Sequence, residues 1–187
     1  MKEGNIALTL ASVGWIVGED EVGDAFAQFM LEDRFIQWIY SLDKIRGEQK
    51  LGGMISLSTC RFSEACSRIF GGENFYYPLI RSMKNMDIRA VELTDEHVKE
   101  ASYLALSWAE SQDLNKALYD YALLPTDAPG ARPIWHLAAL AILGDVEKLQ
   151  SYRDGFQNGE RQGFVPYIDI DHINRALAIA NGGALRA

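Results

Sequence analysis

Residues able to do chemistry are few in this chain. His97, His136 and His172 are spread over its second half, and no two lie four apart, the spacing that sets two imidazoles on one helix face around a metal. His172 follows Asp169 and Asp171, and two carboxylates with an imidazole are suitable donors for a divalent ion. The same carboxylates stand just ahead of an amphipathic segment, where they satisfy free amides of a first helical turn and oppose its dipole. Capping is therefore the preferred reading, and no metal ligands are assigned. Cys60, flanked by Ser58, Thr59 and Arg61, fits no nucleophile pattern and is expected to be a small core residue. The glycine pairs at 52–53, 71–72 and 182–183 lack the Lys-Ser/Thr ending of a phosphate loop and read as turns and helix stops. No catalytic residue and no cofactor motif is assigned. What remains is the dense acidic cluster Glu19, Asp20, Glu21 and Asp24, close to Trp15 and Phe26. Carboxylates beside exposed aromatics can form a surface for a cationic protein, so Trp15, Glu19, Asp20, Glu21 and Asp24 are the candidate partner-binding residues. A solvated loop or helix start is the competing reading of the same charges.

The elements that must position these residues fall into two compositional halves. Ile6, Leu8, Leu10, Val13 and Val17 fit a short helix or a strand, and the helical face through Leu10, Val13, Gly14 and Val17 makes helix the preferred reading. Ala25 to Leu31, Phe35 to Leu42 and Met54 to Phe62 are rich in aromatic and β-branched residues and read as a three-stranded meander. A helix over Glu21 to Asp33 is the alternative. In the middle strand Ile36, Trp38, Tyr40 and Leu42 share one side and Phe35, Gln37, Ile39 and Ser41 the other, so helices must cover at least one face. Ser63 is expected to cap a helix through Phe70, and Phe75 to Met83 is a further helical candidate.

From Thr94 to Phe156 four amphipathic helices follow one another. Thr94 caps the first, whose stripe is Val98, Ala101, Ala105 and Trp108, with Leu104 beside them and Ser102 elsewhere. Leu114 to Tyr121 carries the second, and three prolines and a glycine between Pro125 and Pro133 make a turn. Ile134 to Ala141 is the third and Asp145 caps the fourth. A polar loop from Gly155 to Pro166 leads to a last helix with Ile173, Leu177 and Ala180. The expected fold is α+β, a small N-terminal antiparallel sheet packed against a mostly helical C-terminal half of stacked hairpins. The expected organisation is one domain over 1–187, with lobes at 1–93 and 94–187.

The chain has 18 basic and 26 acidic residues, a net charge of −8, with the excess spread through both halves. A protein that tracks phosphates needs a basic patch, so the charge argues against nucleic acid as a partner and is compatible with ordinary solubility or with attraction to a basic partner. Two cysteines at 60 and 66 suggest neither a disulfide framework nor a zinc site, which places the protein in the reducing cytoplasm. Acidic residues follow the first apolar run where a signal cleavage site would stand, and no eighteen-residue apolar span exists, so no membrane segment is expected.

The first hairpin resembles a tetratricopeptide repeat in its placement of Leu104, Ala105, Trp108, Ala117, Tyr121 and Pro129. It departs at Ala101 and Leu124, where that family favours Trp and Ala. One copy of about 34 residues describes hairpin packing and implies no peptide groove, because such arrays need three or more repeats. The succession of Gly14 and Trp15, an aromatic meander, Phe62, Ser63, Glu64, Ala65 and Cys66 entering a helix, and alanine-rich hairpins is similar in type to bacterial immunity proteins. Those proteins bind and neutralise polymorphic toxins delivered by contact-dependent or type VI secretion. The resemblance implies a non-catalytic protein that occludes a toxin's active site, with acidic side chains facing basic ones. The alternatives are a helical-repeat adaptor or scaffold, and a small metal-dependent hydrolase around Asp171 and His172.

Overall fold

The computed structural model describes residues 1–20, 22–72, 76–83, 87–130, 132–183 and 185. The fold is α+β, an N-terminal antiparallel sheet followed by a helical C-terminal half. Its order is α1 (Glu3–Ser12), β1 (Ile16–Glu19), β2 (Ala25–Leu31), β3 (Arg34–Ile45), β4 (Glu48–Thr59), α2 (Cys60–Phe70), β5 (Ile80–Arg81), β6 (Ile88–Ala90), α3 (Asp95–Glu110), α4 (Leu114–Ala122), α5 (Arg132–Leu143), α6 (Val146–Gln157) and α7 (Ile170–Ala180). The chain forms two compact units, one from Met1–Leu57 with Ile80–Gln112, the other from Ser58–Leu79 with Asp113–Ala187. The units interleave in sequence: α3, read above with the helical hairpins, lies in the first, and α2 in the second.

The first unit holds the sheet, whose strands run in the order β1-β2-β3-β4-β5, with β6 also paired to β4. The expected meander corresponds to β2, β3 and β4, although β4 begins at Glu48 and Cys60 to Phe62 open α2 instead of ending the strand; the alternative helix does not form, since Ala25–Leu31 pairs antiparallel with both neighbours. Register decides this where local periodicity was ambiguous, because Phe26 and Phe29 find cross-strand partners in Ile39 and Ile36. Ile36, Trp38 and Tyr40 are buried on one side of β3, as alternation requires. Gly53 takes φ +129, and a Cβ there would run into the Ile39 carbonyl, so this bend in β4 admits only glycine.

The helix expected over Ile6 to Val17 ends at Ser12, and Val17 lies in β1. Gly14 at φ +97 reverses the chain between them. On α3 the buried stripe is Val98, Ala101, Ser102, Ala105 and Ala109, while Leu104 is exposed. The face is thus turned by one position from the expected one, because Ser102 has a buried partner described below. Arg34, at the start of β3, donates to the carbonyls of Ala109 (2.9 Å) and Gln112 (3.1 Å) and so closes the C-terminal end of α3.

In the second unit α5 is the central element, packed against α2, α4, α6 and α7. Its sequence is apolar on all sides, as a helix surrounded by others must be. The cap of α2 is Thr59, whose hydroxyl accepts from Phe62 N at 3.0 Å. Ser63 is instead buried in the second turn, 2.9 Å from the hydroxyl of Ser58. Of the helical candidate Phe75 to Met83, residue 75 lies outside the described residues, and the described part carries only the short β5.

Candidate functional site

Nearly all chemistry-bearing residues of the helical unit are committed to the fold. His136 is buried. Its Nδ1 lies 3.0 Å from the Tyr121 carbonyl, which can only accept, so Nδ1 carries the proton and Nε2 accepts from the Tyr152 hydroxyl at 3.0 Å. Burial lowers its pKa, and burial with the charge of Asp145 pushes the Tyr152 phenol up to about 12. Both ring nitrogens are used, and Phe164 packs against the pair.

Asp169 is the N-cap of α7: its Oδ1 accepts from the amides of Asp171 (3.0 Å) and His172 (3.1 Å). The same oxygen lies 2.6 Å from His172 Nδ1, close enough that the imidazole donates to it. Of the two carboxylates expected to cap, Asp169 is the N-cap and Asp171 lies in the first turn of α7; no group of three His, Cys, Asp or Glu able to hold a metal occurs among the described residues. His97 closes the corresponding box at α3, its Nδ1 accepting from Thr94 N at 3.0 Å. Cys66 is buried, which pushes its thiol well up, and Cys60 is half-buried at the start of α2.

The acidic N-terminal cluster divides into different roles. Trp15 is 3% exposed and is no surface aromatic: its indole N–H donates to Ser102 Oγ at 2.8 Å, and its ring meets Phe29 and Trp38. Asp20 shapes the β1–β2 turn, its Oδ1 accepting from Val22 N (3.0 Å) and Asp24 N (2.9 Å). Asp24 is exposed at the end of that turn. Glu21 lies outside the described residues. Glu19 differs from the rest because it borders a cleft.

That cleft, about 340 Å³, opens between α1 and the sheet within the first unit. One wall is α1, with Glu3, Gly4 and Ala7; the other is β1, with Val17, Gly18 and Glu19; Ala25 and Tyr40 form the floor. Register explains the floor. Glu19 pairs with Ala25, and continuing Phe26↔Ile39 by one residue sets Ala25 opposite Tyr40, so all three share one face of the sheet. The hollow exists because Gly4, Ala7 and Ala25 have almost no side chain. Gly18 is held small from the other face, where a Cβ would come within 2.7 Å of the Phe26 ring.

Tyr40 is 6% exposed, yet its hydroxyl makes no hydrogen bond with any described residue. Burial raises its pKa, and the charges of Glu3 and Glu19 raise it further, so the phenol stays protonated through neutral pH. Neither carboxylate is in an ion pair with a described residue, and none of the eight lining residues is basic. The phenol oxygen is not among the buried side-chain atoms that lack a partner, so it opens onto the cleft, where water can reach it. The arrangement of two carboxylates and a phenol in a hollow suits a cation. Glu3 and Tyr40 were not singled out from sequence. The signal for Tyr40 was its place on the inward row of β3 two strands from Glu19, which needs the register to be seen. Glu3 had no signal.

Residues 2–181 match a family of unknown function, DUF6990, and the chain belongs to that family. No curated protein and no solved structure matches the chain.

Proposed function

We propose that this DUF6990 member is a non-catalytic binding protein whose acidic cleft receives a basic segment of a protein partner. The observation that carries the reading is a hollow bordered by the carboxylates of Glu3 and Glu19, with Tyr40 beside them and no basic residue in its lining. The net charge of −8 adds long-range attraction toward a basic surface, which speeds encounter more than it strengthens the final complex. Among the described residues no helix is long and apolar enough to cross a membrane. The reading includes a cytoplasmic location.

The more specific form of this proposal is an immunity protein that neutralises a bacterial toxin by covering its basic active-site surface. Inhibition of that kind needs no turnover, only occlusion, and is compatible with histidines and carboxylates committed to caps and core. Co-expression with the product of the adjacent gene tests it. A stable complex on gel filtration together with rescue of growth is the expected result. Absence of both a complex and rescue contradicts the immunity role.

A further inference from the structure

We infer that the open edge of β1 receives an extended segment of the partner as an added strand, with basic residues on the cleft side and apolar residues on the other. This deepens the binding role proposed above and rests on it. Strand β1 ends the sheet on one side. Asp20 N donates to the Asp24 carbonyl at 3.0 Å, which makes that pair a hydrogen-bonded one, and the alternation of an antiparallel ladder gives Gly18↔Phe26 and Ile16↔Gln28 the same status. Val17 and Glu19 therefore turn their N–H and C=O groups away from β2. Trp15 lies on the same odd-numbered row and agrees, since its N–H donates to the Leu10 carbonyl at the end of α1 and not to β2. Past Trp15, the outward groups of Val17 and Glu19 make no hydrogen bond with a described residue.

Edge strands are commonly guarded by a lysine, a proline, a bulge or a covering helix or loop. The sequence of β1 holds neither lysine nor proline, and its register runs without a bulge. The cleft separates Val17, Gly18 and Glu19 from Glu3, Gly4 and Ala7 of α1. An added strand gains affinity from main-chain hydrogen bonds and specificity from what its alternate side chains meet. The two faces of this edge differ. Val17 and Glu19 lie on the cleft side, where Glu3 stands on the opposite wall and no lining residue is basic. Ile16 and Gly18 lie on the other, where Ile16 is 70% exposed and the Phe26 ring reaches across Gly18. The complementary segment therefore alternates basic and apolar residues, with the basic ones beside the two carboxylates.

The test is amide hydrogen exchange of the full chain, followed by NMR, with three peptides: acetyl-Lys-Val-Lys-Val-Lys-amide, the same peptide N-methylated at every backbone nitrogen, and acetyl-Glu-Val-Glu-Val-Glu-amide. Without peptide, the Val17 and Glu19 amides are expected to exchange faster than that of Gly18, and the reverse order overturns the proposal. The lysine peptide is expected to slow exchange at Val17 and Glu19 saturably. The N-methylated peptide keeps the charge but has no backbone N–H to donate, and the glutamate peptide reverses the charge; each is expected to bind at least about ten-fold more weakly. Equal binding of the N-methylated peptide overturns strand addition and leaves a basic partner in the cleft standing. Equal or tighter binding of the glutamate peptide overturns the charge pattern and the basic partner with it. Slow exchange at Val17 and Glu19 that grows with protein concentration, without peptide, overturns the proposal in favour of a second copy on this edge. No response to any of the three peptides overturns both strand addition and the cleft as the partner's binding site.

Discussion

At the residue scale, Trp15 and Tyr40 show how similar sequence signals separate once partners are known. Both are aromatic residues near acidic ones and both are buried, but the Trp15 N–H has Ser102 while the Tyr40 hydroxyl has no described partner. Ser102→Ala leaves the indole N–H orphaned in the core. Urea unfolding of this variant is expected to show a loss of roughly 1–3 kcal/mol with an unchanged m-value. His136 sets a pH dependence. Burial lowers its pKa in the folded state, so just below the unfolded value of about 6.5 the unfolded chain binds a proton that the folded chain refuses. Stability therefore falls as pH drops through that window, and His136→Gln is expected to flatten the slope there in melts taken from pH 7 downward. The acidic cluster was legible as composition, but its division into a turn-shaping Asp20 and a cleft-lining Glu19 was not, because that depends on which backbone amides the β1–β2 turn leaves free.

At the element scale, caps and patterns read well and boundaries less so. Asp113, Asp145 and Asp169 each accept from amides of the helix they precede. Asp169→Ala is expected to lower stability by about 1 kcal/mol. Desolvation alone would raise the Asp169 carboxyl, but the side-chain and backbone hydrogen bonds from His172, its charge and the amide of Asp171 together hold it below its usual value. That contribution is fully present above the unfolded carboxyl pKa of about 3.9 and is lost as pH falls through the folded one. Gly53→Ala sets a Cβ against the Ile39 carbonyl at a positive φ. A destabilisation of roughly 1–3 kcal/mol is expected in thermal or urea melts. The three central strands were visible from their aromatic and β-branched runs. The short β1, β5 and β6 were not, since two to four residues carry too little periodicity and are extended only because a neighbour pairs with them. The α3 stripe was off by one position because a serine reads as outward until its buried partner is known.

At the scale of the whole molecule, composition disclosed the fold class while the chain path through it remained hidden. The boundary after Leu93 follows a shift in composition, yet α2 belongs with α5 and α7 in the helical unit, and α3 with α1 and β3 in the sheet unit. A fragment of residues 94–187 lacks Phe62 and Ile69, fully buried on α2. It is expected to show no cooperative thermal transition by circular dichroism, in contrast to the full chain. The charge excess, legible from the sequence, bears on association with a partner. Glu3, Glu19 and Tyr40, distant in sequence, line one cleft only when β1, β2 and β3 pair in register and α1 packs against β1. The most direct test of the cleft as binding site is the association of the purified adjacent-gene product with wild-type protein and with the Glu3→Gln/Glu19→Gln double variant, followed by surface plasmon resonance at low and near-physiological salt. The account predicts affinity lower by about ten-fold or more for the double variant, with a weaker dependence on salt than the wild type shows. Identical affinity and identical salt dependence for the two proteins would contradict it.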